Sequence, residues 1–363
     1  MHVDAAELKR LGRDSGLDAV GIAPAEPFVG TRVHLHDRRA AGFDGGMQFT
    51  YRNPDRSTDP DRALPGARAI VVGARAYPSH TGDTGHRRLR ARVAAYARTD
   101  HYAALRRGLT LIADHLRELG WQSRVLVDDN ALVDREAAYR AGLGWYGKNS
   151  NVLLPGRGSW FVLGSVVTTA PLEPDDAPMS DGCGTCRRCI SGCPTGAIVA
   201  PGVVDARRCL AWHLQMTGDF PREHRVALGD RIYGCDDCQE VCPQNVDADR
   251  DDAGPSEAAW VSIPEMLTAD DAELLARHGR WYIPERAPRY LRRNALIVLG
   301  NVGDPHDPTV VELVERYLDD PDPMLRSHAA WAARRLGRHD LLVARASDEV
   351  IAAELAAPAP ATR

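Results

Sequence analysis

Cys183-Gly-Thr-Cys186-Arg-Arg-Cys189-Ile-Ser-Gly-Cys193-Pro194 is the stretch that decides how this 363-residue chain is organised. Its spacing, Cys-x2-Cys-x2-Cys-x3-Cys-Pro, is the run that holds paired 4Fe-4S clusters. A tight loop brings three thiolates to three irons of one cluster. The fourth cysteine, carried away by the next turn, reaches the other. A second run, Cys235-x2-Cys238-x3-Cys242-Pro243, lacks one cysteine, and Cys209, 26 residues upstream of Cys235, supplies a candidate. The crossed arrangement assigns Cys183, Cys186, Cys189 and Cys242 to one cluster. It assigns Cys193, Cys209, Cys235 and Cys238 to the other, which uses all eight cysteines of the chain.

Other uses of these thiols fit less well. Zinc ribbons take paired Cys-x2-Cys runs, but not a third cysteine at the same step or Cys-Pro endings. A radical-SAM site needs Cys-x3-Cys-x2-Cys, and the required positions hold Gly196 and Asn245. The chain shows no apolar leader, and its longest mostly apolar stretch, Trp160 to Val167, is too short to span a bilayer. A reducing cytoplasm is therefore expected, where cysteines serve metals rather than disulfides. The net charge of -5 gives no global argument for nucleic acid. Lys9 and Lys148 are the two lysines, so arginine supplies nearly all the positive charge and arginine-rich patches carry little information by themselves.

Upstream, the chain reads as α/β. Asp4 and Glu7 form a capping-box pattern ahead of a helix. Residues 69–74 and 124–127 read as strands, 102–119 as an amphipathic helix closed by Gly120, and 130–141 as another helix. A glycine-punctuated turn, Gly142-Leu-Gly-Trp-Tyr-Gly-Lys-Asn149, precedes two strand-like runs, 151–154 and 159–169. Residues 173–180 read as a linker, and the acidic stretch 247–252 as a second boundary. Downstream, Leu291-Arg-Arg-Asn-Ala295 matches Leu325-Arg-Ser-His-Ala329 at an offset of 34 residues, with Asp307-Pro308 and Asp322-Pro323 as punctuation. That period suits helix-pair repeats, and so short an array needs a neighbour to pack against. An α+β protein is expected, with domains at 1–175 (α/β), 176–250 (ferredoxin-like) and 255–345 (HEAT-like repeats), and a flexible tail at 346–363.

Gly46-Met47, Tyr96-Ala97, Val127-Asp128, the Ala141–Asn149 turn, Gly158-Ser159-Trp160, the cysteine runs and Tyr233-Gly234-Cys235-Asp236-Asp237-Cys238-Gln239 together resemble the epoxyqueuosine reductase family over residues 5–340. Two local departures stand out: Thr99-Asp100-His101-Tyr102 and His213-Leu214-Gln215-Met216 replace runs common in the family. The resemblance implies an N-terminal domain that binds cobalamin, two 4Fe-4S clusters, and a helical-repeat domain. It implies reduction of the epoxide of epoxyqueuosine at the wobble position of tRNA. It also implies an external electron donor such as a flavodoxin or ferredoxin system, no membrane, and a monomer. Rival readings are a dehalogenase-like cobalamin and iron–sulfur reductase, an electron-carrier subunit, and an RNA-binding scaffold with structural clusters.

Opening an epoxide requires an acid for the leaving oxygen. Asp128 ends a predicted strand and matches the family's acid, although an aspartate there also suits a helix cap. Asp134, six residues on, reads as a solvated charge within the helix. Asp128, Gly147, Lys148, Asn149, Asn151, Asp236 and Asp237 are the expected cobalamin contacts. Arg289, Arg292 and Arg293, in a run of net positive charge, are the expected tRNA contacts; Arg87, Arg88, Arg90 and Arg92 form a second arginine group.

Overall fold

The structure is a computed structural model that describes residues 3–79, 88–175, 178–246 and 257–360. The acidic boundary at 247–252 and Arg87 lie outside the described residues. The chain divides into two compact units. One comprises Met1–His80, Thr99–Arg207 and Asp236–Ala253; the other comprises Thr81–Arg98, Arg208–Cys235 and Gly254–Arg363.

The first unit is built on a four-stranded sheet. Its elements are α1 (Ala5–Asp14), β1 (Ala19–Pro24), α2 (Val29–Ala40), β2 (Ala69–Ala76), α3 (His101–Glu118), β3 (Ser123–Val127), α4 (Asp134–Arg140) and β4 (Phe161–Thr168). Asp4 caps α1 by accepting from the Ala6 amide at 2.8 Å. The sheet order is β1-β2-β4-β3, and every pairing is antiparallel, although helices alternate with strands along the chain. Apolar residues fill both faces, because α1 and α3 cover one and α4 the other. Close packing needs missing side chains on the strands: a Cβ at Gly73 would lie 2.9 Å from Leu109 of α3. Burial of Leu105, Leu109, Ile112 and Leu116 on α3 matches the apolar stripe of its sequence. The helix expected over 130–141 starts later, at Asp134, because the chain leaves β3 through a left-handed residue, Asp128, with φ of 50°.

The second unit holds the repeats: α5 (Arg289–Val302), α6 (Pro308–Leu318), α7 (Pro323–Arg335) and α8 (Glu349–Ala356). Asp307 and Asp322 cap α6 and α7, each with proline at the first helical position. Leu291 and Leu325, equivalent across the repeat, are both buried, as are Asn294 and His328. A small mixed sheet of Arg231–Tyr233, Arg90–Val93 and Trp260–Ser262 completes this unit. Among the described residues no helix is long and apolar enough to cross a membrane.

Candidate cluster and catalytic site

None of the eight cysteines, all among the described residues, is in a disulfide. In the first unit the loop from Cys183 turns back on itself, with the Cys186 amide donating to the Cys183 carbonyl at 3.0 Å. A short helix, Arg188–Ser191, then buries Cys189. Cys242 follows the one-turn helix Asp237–Glu240 and is also buried. Burial raises the Cys189 thiol above its ordinary range, and the neighbouring thiols of Cys242, Cys183 and Cys186 raise it further. Those are the four residues assigned to one cluster by spacing, and they share one neighbourhood. Cys193 accepts a hydrogen bond from the Ala197 amide at 3.2 Å. Cys193 and Cys238 belong to the first unit, Cys209 and Cys235 to the second.

The glycine-rich turn braces these loops. The Trp145 ring packs with Cys242 and Cys183, and a Cβ at Gly182 would lie 2.6 Å from that ring. Lys148 Nζ donates to the carbonyls of Gly184 at 2.5 Å and Cys186 at 2.9 Å. Asn149 Nδ2 donates to the Cys238 carbonyl at 3.3 Å, and Asn149 Oδ1 accepts from the Asn151 amide at 3.2 Å. The side chains of Lys148 and Asn149, expected on cobalamin, thus hold the cysteine loops. Asp236 and Asp237 are buried at the start of the helix that leads to Cys242.

Sequence reasoning passed over Asn245, which is 2% exposed. Its Oδ1 accepts from the Ser159 amide at 2.6 Å, and its Nδ2 donates to Ser159 Oγ at 3.0 Å and to the Gln239 carbonyl at 2.8 Å. Gln239 Nε2 closes the network on Ser159 Oγ at 3.0 Å. Gly158, at φ of 60°, has no room for a Cβ, which would lie 1.9 Å from Asn245 Oδ1. No local pattern marked Asn245, because Ser159 and Asn245 are 86 residues apart in the sequence.

Asp128 stands at the end of β3. Arg106 of α3 fixes that end by donating to the Val127 carbonyl at 2.6 Å. Asp128 keeps solvent access, yet loss of hydration pushes its carboxyl above the usual range; Arg106 opposes this and Asp129 adds to it. No side chain caps α4, whose N-cap is Val133; Asp129 Oδ1 accepts from the Ala131 amide at 2.8 Å in the turn that leads to it. Asp134 differs from the solvated mid-helix charge expected of it. It is the first residue of α4, its Oδ1 is enclosed without a hydrogen-bond partner, and burial, then Asp128, raise its carboxyl well above the usual range.

Residues 182–245 match the model of a 4Fe-4S double cluster binding domain, and residues 283–357 match HEAT repeats. The chain is 35% identical over 345 residues to the epoxyqueuosine reductase of Xanthomonas campestris pv. campestris, covering 92% of this chain and 96% of that one. It is 33% identical over 332 residues to the epoxyqueuosine reductase of Bacillus cereus, covering 89% and 86%. The chain belongs to the epoxyqueuosine reductase family. A crystal structure of an epoxyqueuosine reductase with a tRNA-Tyr epoxyqueuosine-modified stem loop is similar at a TM-score of 0.86 and 30% identity, over 96% of both chains.

Within this epoxyqueuosine reductase family member the expected arginine track is largely turned inward. Arg293 is 0% exposed, which corrects its reading as a tRNA contact. Its guanidinium donates to the carbonyls of His213 at 2.9 Å, Met216 at 2.8 Å and Gly218 at 2.6 Å. Asn294 beside it donates to the Leu214 carbonyl at 3.0 Å. Together they hold the segment that follows Cys209. Arg292 pairs with Asp271 and donates to the Ala269 carbonyl at 2.8 Å. Arg289, with its side chain 45% exposed, pairs with Asp322 at 3.2 Å. In the other group, Arg88 pairs with Asp307 at 3.0 Å and Arg92 with Asp230 at 3.4 Å.

Proposed function

We propose that this chain reduces the epoxide of epoxyqueuosine at the wobble position of tRNA to queuosine, using cobalamin and two 4Fe-4S clusters. The observation that carries the reading is one compact unit holding both a four-thiol neighbourhood and an aspartate, Asp128, that caps nothing and has a raised carboxyl. Cys183, Cys186, Cys189 and Cys242 would hold one cluster. By spacing and count, Cys193, Cys209, Cys235 and Cys238 would hold the other. For cobalamin, whose corrin is edged with amides, the enclosed Trp145 Nε1 and Ser150 Oγ lack protein partners and suit such a neighbour. Asp128, Gly147 and Asn151 line the same stretch of chain. Bound cobalamin would supply a reducing cobalt nucleophile, and the clusters would supply electrons one at a time.

The chain's own part is acid and position. Removing the epoxide oxygen takes two electrons and two protons and releases that oxygen as water; breaking the C–O bond puts negative charge on it, and Asp128, protonated more readily than an ordinary aspartate, delivers the first proton there. Arg106 and the left-handed turn at Asp128 fix where the acid stands. Arg289 is the one of the three expected tRNA-contact arginines that keeps a largely exposed guanidinium for a phosphate. The electrons come from an external flavodoxin or ferredoxin system, and the chain works as a cytoplasmic monomer. The test is anaerobic reconstitution with iron, sulfide and cobalamin, then incubation with an epoxyqueuosine-containing stem loop under reductant. Nucleoside mass spectrometry should show queuosine. Unchanged epoxyqueuosine with fully loaded protein overturns the reading.

A further inference from the structure

One of the chain's two lysines is spent on two backbone carbonyls. Both carbonyls lie between Cys183 and Cys189, in the loop whose three thiols belong to the first quartet. The lysine does not pair with acid: among the described residues Lys148 forms no salt bridge with a carboxylate. Its backbone is anchored as well, because the Lys148 carbonyl accepts from the Gly202 amide at 2.9 Å. The next residue, Asn149, is buried and ties the same turn to the Cys238 carbonyl. An uncompensated cation is thereby held at fixed position against a cluster-binding loop.

We infer that Lys148 sets the reduction potential of the cluster held by Cys183, Cys186, Cys189 and Cys242, raising it so that this cluster accepts electrons more readily. The inference rests on the two-cluster reading above. When that cluster takes one electron from a reduced donor, its net charge becomes more negative by one. A nearby ammonium stabilises the reduced form more than the oxidised one, and net charge and hydrogen bonding around a cluster are the protein's levers on its potential. The two hydrogen bonds also tie down the carbonyl oxygens of Gly184 and Cys186, whose negative ends would otherwise be free to turn toward the cluster. Arginine cannot copy this easily, since its planar fork does not present a compact charge to two carbonyls of one tight loop.

The experiment is a potentiometric titration of the anaerobically reconstituted chain, followed by electron paramagnetic resonance, with dithionite and mediators as the electron source. Iron content is measured first. Wild-type protein without about eight irons would refute the two-cluster reading itself. Lys148→Gln keeps a donor for the carbonyls and removes the charge. It should retain wild-type iron while one of the two midpoints moves negative. At a fixed ambient potential the reduced-to-oxidised ratio of that cluster should fall about tenfold, which is about 59 mV for a one-electron couple. Lys148→Met should shift the same midpoint in the same direction. Unmoved midpoints in Lys148→Gln overturn the inference. So does loss of the cluster in Lys148→Gln, which would make the lysine a brace and nothing more.

Discussion

Replacing Asp128 by asparagine separates acid from scaffold. The backbone there is left-handed, at φ of 50°. Asparagine tolerates that conformation nearly as well as aspartate, whereas alanine pays about 1–2 kcal/mol for it. Helix capping is not at stake, since the N-cap of α4 is Val133 and no side chain caps it. Asp128→Asn should therefore change unfolding free energy by no more than about 0.5 kcal/mol, while Asp128→Ala should cost about 1 kcal/mol or more. Catalysis should respond differently. Asparagine cannot donate as an acid, so both variants should lose about 10²–10⁴-fold in single-turnover rate, or about 3–5 kcal/mol of transition-state stabilisation. The assay is one turnover of chemically pre-reduced, cobalamin-loaded protein on an epoxyqueuosine stem loop, which removes electron supply as a variable. The wild-type rate should fall as pH rises through the elevated Asp128 pKa, because the proton donor is lost, and the variants should show no such fall. An asparagine variant turning over near the wild-type rate would refute the acid role and shift attention to Asp134.

Cys209→Ala should halve the iron, from about eight to about four per chain, and leave one cluster spectroscopically intact; eight irons in this variant would overturn the ligand assignment. Arg293→Met strands the carbonyls of His213, Met216 and Gly218, the first of them buried, and should lower stability by roughly 1–3 kcal/mol in denaturant titrations, whereas Arg289→Gln should leave stability alone and reduce the salt slope of tRNA binding by about 0.7–0.9. Asp134 has a folded-state pKa well above its unfolded one, so the native state binds the extra proton and stability falls as pH rises from about 4 through the folded pKa; Asp134→Asn should flatten that decline and be the more stable protein at neutral pH.

The thiols were legible because cluster binding is written in local spacing, and the helices and strands because burial repeats with their period. What escaped depends on partners far along the chain. Lys148 sits in a turn that looks exposed, and its acceptors lie 36 and 38 residues away. Asp128 and Asp129 are equivalent on paper; in the fold the first takes a left-handed backbone, the second accepts from the Ala131 amide in the turn, and neither caps the helix. The arginine run 289–293 reads as a solvated face only if α5 has one, and ten of its fourteen residues are buried.

That burial follows from how the short repeat array is stabilised. Two helix pairs cannot cover their own apolar sides, and in this unit the segment from Leu210 to Ile232 packs on them: Leu210, Leu214, Phe220, Leu228 and Ile232 share one core with Leu291, Leu299 and Trp331. The repeat offset then acquires a second meaning. Asn294 and His328 occupy equivalent positions, and both turn to that segment. Asn294 donates to the Leu214 carbonyl, and His328 Nε2 accepts from the Phe220 amide at 3.2 Å while its Nδ1 meets the Met324 carbonyl at 2.7 Å. Burial keeps His328 neutral, as an accepting Nε2 requires. The polar position of each repeat copy, joined by Arg293, is thus a backbone clamp on the stretch that follows Cys209. Under the proposed assignment of Cys209 as a cluster ligand, Arg293→Met should lower the iron content of the reconstituted chain, and unchanged iron in that variant would refute a link between the clamp and the cluster.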